Sequence, residues 1–388
     1  MKTRLLVVLV ICLSSHLLGA CASEVLPSAG EGSGGRPTVP EPPAAGNGEA
    51  GEVGNQPGLE LRVPVSAGEA TFVRLSEPEV IELDGAASDD SLAWDLAFQG
   101  WNVFTNGGVS GPGGGWSFGP SEYYYLFFPD DVIDVPLPIP DRASGAFLGW
   151  YAYNGADHLV YSRFHVYGVR SSGRLYKLQV LGYRGQIQGS LVNALYRVRY
   201  AEVTPDGSGP LVDIGNIDAT ANGDALNPDE PSTCLDLATA EQLALTPREA
   251  GESLTWDLCF RRDVITVSGG EGGPRGVEAV DLDAQSTAGE SIEDLVERTA
   301  SSELARFEET THDTLTAPGL DYRGDVATSA FSGRWYVEGD PRTPVVDKSW
   351  LVVGPDGESR YYLAFTAFEN ASADSPGTVV LRVQAVRP

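Results

Sequence analysis

The chain has 388 residues, with 54 acidic against 26 basic side chains, four histidines and a formal net charge of −28. A field of that sign repels phosphate backbones and anionic headgroups, which excludes nucleic acid as a partner. No His-Glu-x-x-His and no Asp-x-Asp-x-Asp-Gly loop occurs, so neither an enzyme nor a dedicated metal site is expected.

In chain order, the first element is a short export signal. Lys2 and Arg4 precede an apolar run from Leu5 to Leu18, too short to span a bilayer. Leu18-Gly19-Ala20-Cys21 resembles the bacterial lipobox, which implies a signal over residues 1–20 and a diacylglyceryl group on Cys21. With Ala22 rather than Asp next, the resemblance implies a lipid anchor in the outer membrane. Residues 21–58 are Gly, Pro, Ala, Ser and Glu with almost no large apolar side chain, and read as a flexible tether.

Beyond the tether the chain repeats itself. Trp94-Asp95-Leu96-Ala97-Phe98 returns as Trp256-Asp257-Leu258-Cys259-Phe260, and Gly149-Trp150-Tyr151 as Arg334-Trp335-Tyr336. Upstream, Phe72-Val73-Arg74-Leu75 and Cys234-Leu235-Asp236-Leu237 stand at the same distance before their Trp-Asp motifs. Each motif leads into a glycine-dense loop, Gly107 to Gly115 and Gly269 to Gly276. Each copy then carries a strand hairpin, 165–180 turning at Ser171-Ser172-Gly173 and 350–365 turning at Pro355-Asp356-Gly357. Two tandem domains are expected, 59–208 and 209–388, separated within the Pro/Gly/Asp-rich stretch from Thr204 to Pro231. The class is mainly β, antiparallel, with one or two short helices per copy. Ser291 and Asp294 suit the start of one helix over 291–297, and Leu304 and Phe307 suit a second.

Cys234 aligns with Phe72 and Cys259 with Ala97, a large and a small residue, as packed neighbours often are. In an exported chain this supports a Cys234–Cys259 disulfide between adjacent strands of the second copy, two buried thiols being the alternative.

The Trp94-Asp95 motif, its following Thr105-Asn106-Gly107-Gly108 loop and the hairpin Val166 to Val180 together resemble the HmuY family of bacterial surface lipoproteins. The likeness covers residues 59–203 well and the second copy in outline. It implies a mostly β fold and a surface domain that takes up haem for iron acquisition, alone or from a haem-carrying protein. Axial ligation of haem iron requires imidazoles or other side-chain donors. His158 and His165 are the candidate ligands, seven residues apart and so on opposite faces of one continuous strand. Tyr123-Tyr124-Tyr125 offers an alternative phenolate, and His312 reads as solvated. The rival reading keeps the fold without haem, meeting protein or glycan partners through exposed aromatics such as Trp101, Trp116 and Trp150. The glycine loop lacks the Lys-Ser/Thr of a nucleotide loop and reads as a bend that lets two strands cross.

Overall fold

Aromatic and β-branched runs broken by glycine turns give twenty-five strands among the described residues of the computed structural model. It describes residues 57–83, 90–135, 138–221, 223–224 and 226–386. The expected export signal, Cys21 and the expected tether as far as residue 56 lie outside them. Every strand-to-strand ladder is antiparallel, so the class expected from the sequence is the class found.

The first copy contributes β1 (Leu59–Pro64), β2 (Thr71–Arg74), β3 (Glu79–Ile81), β4 (Leu96–Gln99), β5 (Asn102–Thr105) and β6 (Trp116–Glu122). After them come β7 (Arg142–Ser144), β8 (Tyr151–Asn154), β9 (Leu159–Ser162), β10 (Val166–Ser171), β11 (Arg174–Ile187), β12 (Ser190–Thr204) and β13 (Gly207–Ser208). The second copy contributes β14 (Val212–Asp218), β15 (Ser232–Leu235), β16 (Gln242–Leu245), β17 (Leu258–Arg261), β18 (Val264–Val267) and β19 (Glu278–Asp281). It ends with β20 (Val326–Thr328), β21 (Tyr336–Val337), β22 (Thr343–Pro344), β23 (Lys348–Val353), β24 (Arg360–Glu369) and β25 (Thr378–Ala385).

The duplication is real in register. Phe72 faces Ala97 across β2 and β4, and Cys234 faces Cys259 across β15 and β17. The small sheets β3-β2-β4-β5 and β16-β15-β17-β18 have the same strand order.

The folding units, however, are not the sequence copies. One large sheet runs β1-β25-β24-β23-β6, so the closing hairpin of copy two pairs with the opening strands of copy one. The other runs β12-β11-β10-β19 with β14 also on β12, pairing the closing hairpin of copy one with copy two. The cores obey the same exchange. Leu61, Val73, Phe98 and Val103 pack with Trp335, Trp350 and Phe365. Trp150, Tyr167 and Tyr196 pack with Leu235, Phe260 and Val277. The boundary near residue 208 therefore separates repeats and not compact bodies. An inner unit, residues 142–325, is inserted into an outer unit built from 59–141 and 326–386. Strand β14 lies inside the stretch read from sequence as a linker.

The chain crosses between units where β7 pairs with β20, with Ala143 opposite Ala327. Before each crossing an insertion covers the outer face of one large sheet. Tyr123, Leu126 and Ile133 cover Leu351, Tyr362 and Ala364 in the outer unit. Leu304 and Phe307 cover Val166 and Ala201 in the inner one. The helices Ile292–Glu297 and Leu304–Glu308 form where the sequence suggests, the first capped by Ser291. The expected one or two helices per copy is corrected. All α-helices among the described residues belong to copy two, and copy one has only a 3-10 turn at Tyr123–Leu126. A third helix, Pro247–Glu252, follows a Thr246/Glu249 capping box that the reading missed.

Candidate functional site

The Trp-Asp motifs tie strands together. Asp95 accepts the Leu75 amide at 2.7 Å, and Asp257 accepts the Leu237 amide at 2.7 Å. Trp94 is buried edge-on against Phe72, with ring centroids 5.3 Å apart. Buried Asn106 donates to the carbonyls of Ser91 and Trp94, both at 2.8 Å, and accepts from the Gly113 amide at 3.1 Å. It thereby folds the glycine loop back onto itself. A Cβ on Gly107 would overlap the Gly115 carbonyl, and one on Gly108 (φ +66) the Asp141 carbonyl. These glycines let protein backbone approach protein backbone, Gly107 within its own loop and Gly108 against Asp141.

Two buried aspartates stand at the crossings. Asp141 accepts the amides of Thr105 and Ala330, each at 2.7 Å. Its counterpart Asp325 accepts the Val267 amide at 2.9 Å, while its Oδ1 has no hydrogen-bond partner. Burial pushes both carboxyls up to about 7, against the lowering effect of those amides. For Asp325 the protonated form favours the fold. That stability is complete below the ordinary carboxylate range and is lost as pH rises through about 7. Asp325→Asn is therefore expected to be more urea-resistant than the parent at pH 8, by roughly 1–3 kcal/mol, and close to it at pH 5. Identical midpoint differences at the two pH values would refute this assignment.

Beside the crossings lies a cleft of about 1510 Å³. Its lining draws on both glycine loops (Gly108 and Val109, Gly270 to Pro274), on the crossing segment Pro138 to Ala143, and on inner-unit residues including Tyr153, His158, Tyr183 and Trp256. Arg142, Arg261 and Arg262 also line it.

The two candidate histidines occupy different settings. His158, at φ +59, lies in the exposed turn of the β8–β9 hairpin, with Nδ1 2.8 Å from the Tyr153 hydroxyl and the side chain on the cleft lining. His165 is 3% exposed beneath the inner unit's cover. Its Nδ1 lies 2.8 Å from Asp281 and its Nε2 3.3 Å from Glu290. Glu290 in turn holds Arg163 and Arg298, both at 2.6 Å. Burial pulls the His165 pKa down, but Asp281 and Glu290 outweigh it, so the imidazolium is favoured beyond its ordinary range. His158 sits in the hairpin turn itself, and the left-handed residue Phe164 breaks the chain between β9 and His165, so the continuous-strand geometry inferred from their spacing does not apply. The residues do not fit a two-histidine haem site, because both His165 nitrogens already face carboxylates.

Other candidates also find their places. Cys234 and Cys259 are joined as a disulfide across β15 and β17, on the face that also carries Trp256. Tyr123 is buried, which raises its pKa and disfavours a phenolate. Trp150 is 1% exposed and donates to the Asp263 carbonyl at 2.8 Å, so its reading as an exposed contact residue is corrected. Trp101 is half-buried under Arg342, whose guanidinium sits 4.8 Å from the ring.

The sequence reading missed Asp141, Asp325 and the cleft arginines. The signal was present: Asp141-Arg142-Ala143-Ser144 and Asp325-Val326-Ala327-Thr328 share Asp-x-Ala-Ser/Thr upstream of the paired tryptophans. A one-residue insertion before Trp335 hides the match.

Fold and site together define a mainly antiparallel β protein of two interleaved units with a cleft where the chain crosses between them. No protein-family model matches the chain, and no curated protein matches its sequence.

Proposed function

We propose that this is an exported, lipid-anchored binding protein that holds a small ligand in the cleft between its two units. The observation carrying the reading is the cleft itself, large enough for an organic ligand and lined by segments from both units. The lipobox-like Cys21, the tether and the resemblance to the HmuY family support a surface, outer-membrane location and a binding rather than catalytic role. In the haem version of this reading His158 is the only candidate imidazole in the cleft, and His165 is a structural residue.

A haemin titration of residues 57–388 followed by Soret absorbance tests it. His158→Asn is the suitable variant, because Asn tolerates the left-handed backbone at that position. A saturable one-to-one shift lost in His158→Asn would place haem in the cleft. A titration matching free haemin would remove haem and leave the cleft to another ligand. Binding that survives His158→Asn but disappears in His165→Asn would overturn the cleft reading, since His165 does not line it.

A further inference from the structure

Five carboxylates (Asp141, Asp224, Glu230, Asp263 and Glu271) and three arginines line the cleft. Acidic residues outnumber basic ones 54 to 26, so an arginine without a carboxylate partner needs a reason. Arg163, Arg275, Arg298 and Arg306 each hold a carboxylate at 3.1 Å or closer. Partly buried Arg142 and Arg261 and exposed Arg262 hold none among the described residues, although all three line one cleft. Arg261 makes one hydrogen bond, to the Gly223 carbonyl at 3.2 Å.

The carboxylates of the lining are committed elsewhere or exposed to solvent, although buried Asp325, outside the lining, also attracts Arg261. Asp141 is spent on the backbone amides of Thr105 and Ala330. Asp263 accepts from the Tyr151 hydroxyl at 2.7 Å, and Asp224 accepts the amides of Leu226 and Asn227 at 3.0 Å. Glu230 and Glu271, the remaining acids of the lining, are solvent-exposed. Burial lowers the Arg261 pKa, and Arg142 adds to this against the opposing pulls of Asp224 and Asp325. The three arginines share no carboxylate, and an incoming oxyanion can meet such guanidiniums through charge-assisted and bidentate hydrogen bonds. Around them the lining turns apolar at Phe118, Ile139, Tyr183 and Leu191. Leu191 is 63% exposed at the tip of the β11–β12 hairpin.

We propose that the cleft selects an anionic amphiphile, a small molecule whose carboxylate, sulfonate or phosphate group meets Arg142, Arg261 and Arg262 while its apolar body lies against Phe118, Tyr183 and Leu191. The proposal rests on the cleft being the binding site. It extends that reading by naming the ligand class, which does not depend on iron or on His158.

The test uses a matched pair of fluorescent probes, 8-anilinonaphthalene-1-sulfonate and the uncharged N-phenyl-1-naphthylamine, titrated into residues 57–388. The sulfonate is expected to bind saturably at one site, about tenfold or more tighter than the neutral probe, as an added charge-assisted contact would give. The double variant Arg142→Gln, Arg262→Gln spares the more buried Arg261. It should lose that preference, keep the neutral probe's affinity and retain the parent's melting temperature. Equal affinity for the two probes would overturn the anion selectivity and leave the cleft as a binding site. Failure of both probes to bind would sink the cleft reading together with the proposal. A sulfonate preference unchanged in the double variant would place the anion site elsewhere and also overturn it.

Discussion

Residues 57–208 expressed alone are expected not to fold, whereas residues 142–325 are expected to fold as a monomer. The first span is the repeat that the sequence delimits, yet none of its large sheets is complete. Its β6 has lost β23, its β1 has lost β25, and its β10 has lost β19. The Trp94 sheet loses Trp335, Trp350 and Phe365 from its core, and the Tyr167 hairpin loses Leu235, Leu258 and Phe260. Each fully buried aromatic contributes about 1.5–3 kcal/mol by area alone, and a whole domain keeps only about 5–15 kcal/mol in reserve. Residues 142–325 keep every member of the inner core, the helical cover and the disulfide. Near-ultraviolet circular dichroism and size exclusion separate the outcomes. A monomeric 57–208 with native-like aromatic dichroism would overturn the exchanged topology.

The second large effect is at Asp141. Asp141→Ala leaves the amides of Thr105 and Ala330 buried without acceptors, at the point where the chain leaves the outer unit. An unsatisfied buried donor costs about 1–3 kcal/mol, so a loss of roughly 2–5 kcal/mol is expected, enough to fray or unfold the outer unit. The equivalent change, Asp325→Ala, frees only the Val267 amide and removes an oxygen that had no partner. Its loss should be less than half as large. Urea midpoints of the two variants at pH 7 decide the matter, and equal losses would show that the second amide at Asp141 contributes nothing.

Much of the local structure was legible. The register that sets Cys234 opposite Cys259 follows from aligning two five-residue motifs, and the hairpin at Ser171-Ser172-Gly173 follows from its turn residues, with positive φ at Ser172 and Gly173. The exchange of halves was not legible. Local sequence specifies that β10 will pair with β11, but either repeat offers a near-equivalent edge to β10. The choice between β6 and β19 is made by the short crossing at β7 and β20. The site was hidden for a related reason. Arg142 and Arg261 are 119 positions apart and line one cleft only through the fold, so no motif spans them. The histidine spacing misled because a hairpin turn and a left-handed Phe164 break the strand that the parity argument assumed.

The nesting of one unit inside the other also sets an order of events in time. As the chain is synthesised, the sheet around Trp94 appears first and has nothing to pack against. The inner unit is contiguous and closes locally, and of its ladders only that of β7 with β20 reaches beyond Asp325. The outer unit must wait for the hairpin of β24 and β25, because its last ladder joins Leu59 to Val383. Contacts of such long sequence separation form slowly. The half-finished outer sheet therefore stays open to proteases and to other chains until the final sixty or so residues arrive. A nascent chain stalled before residue 326 should display a protected centre and a cleavable N-terminal arm.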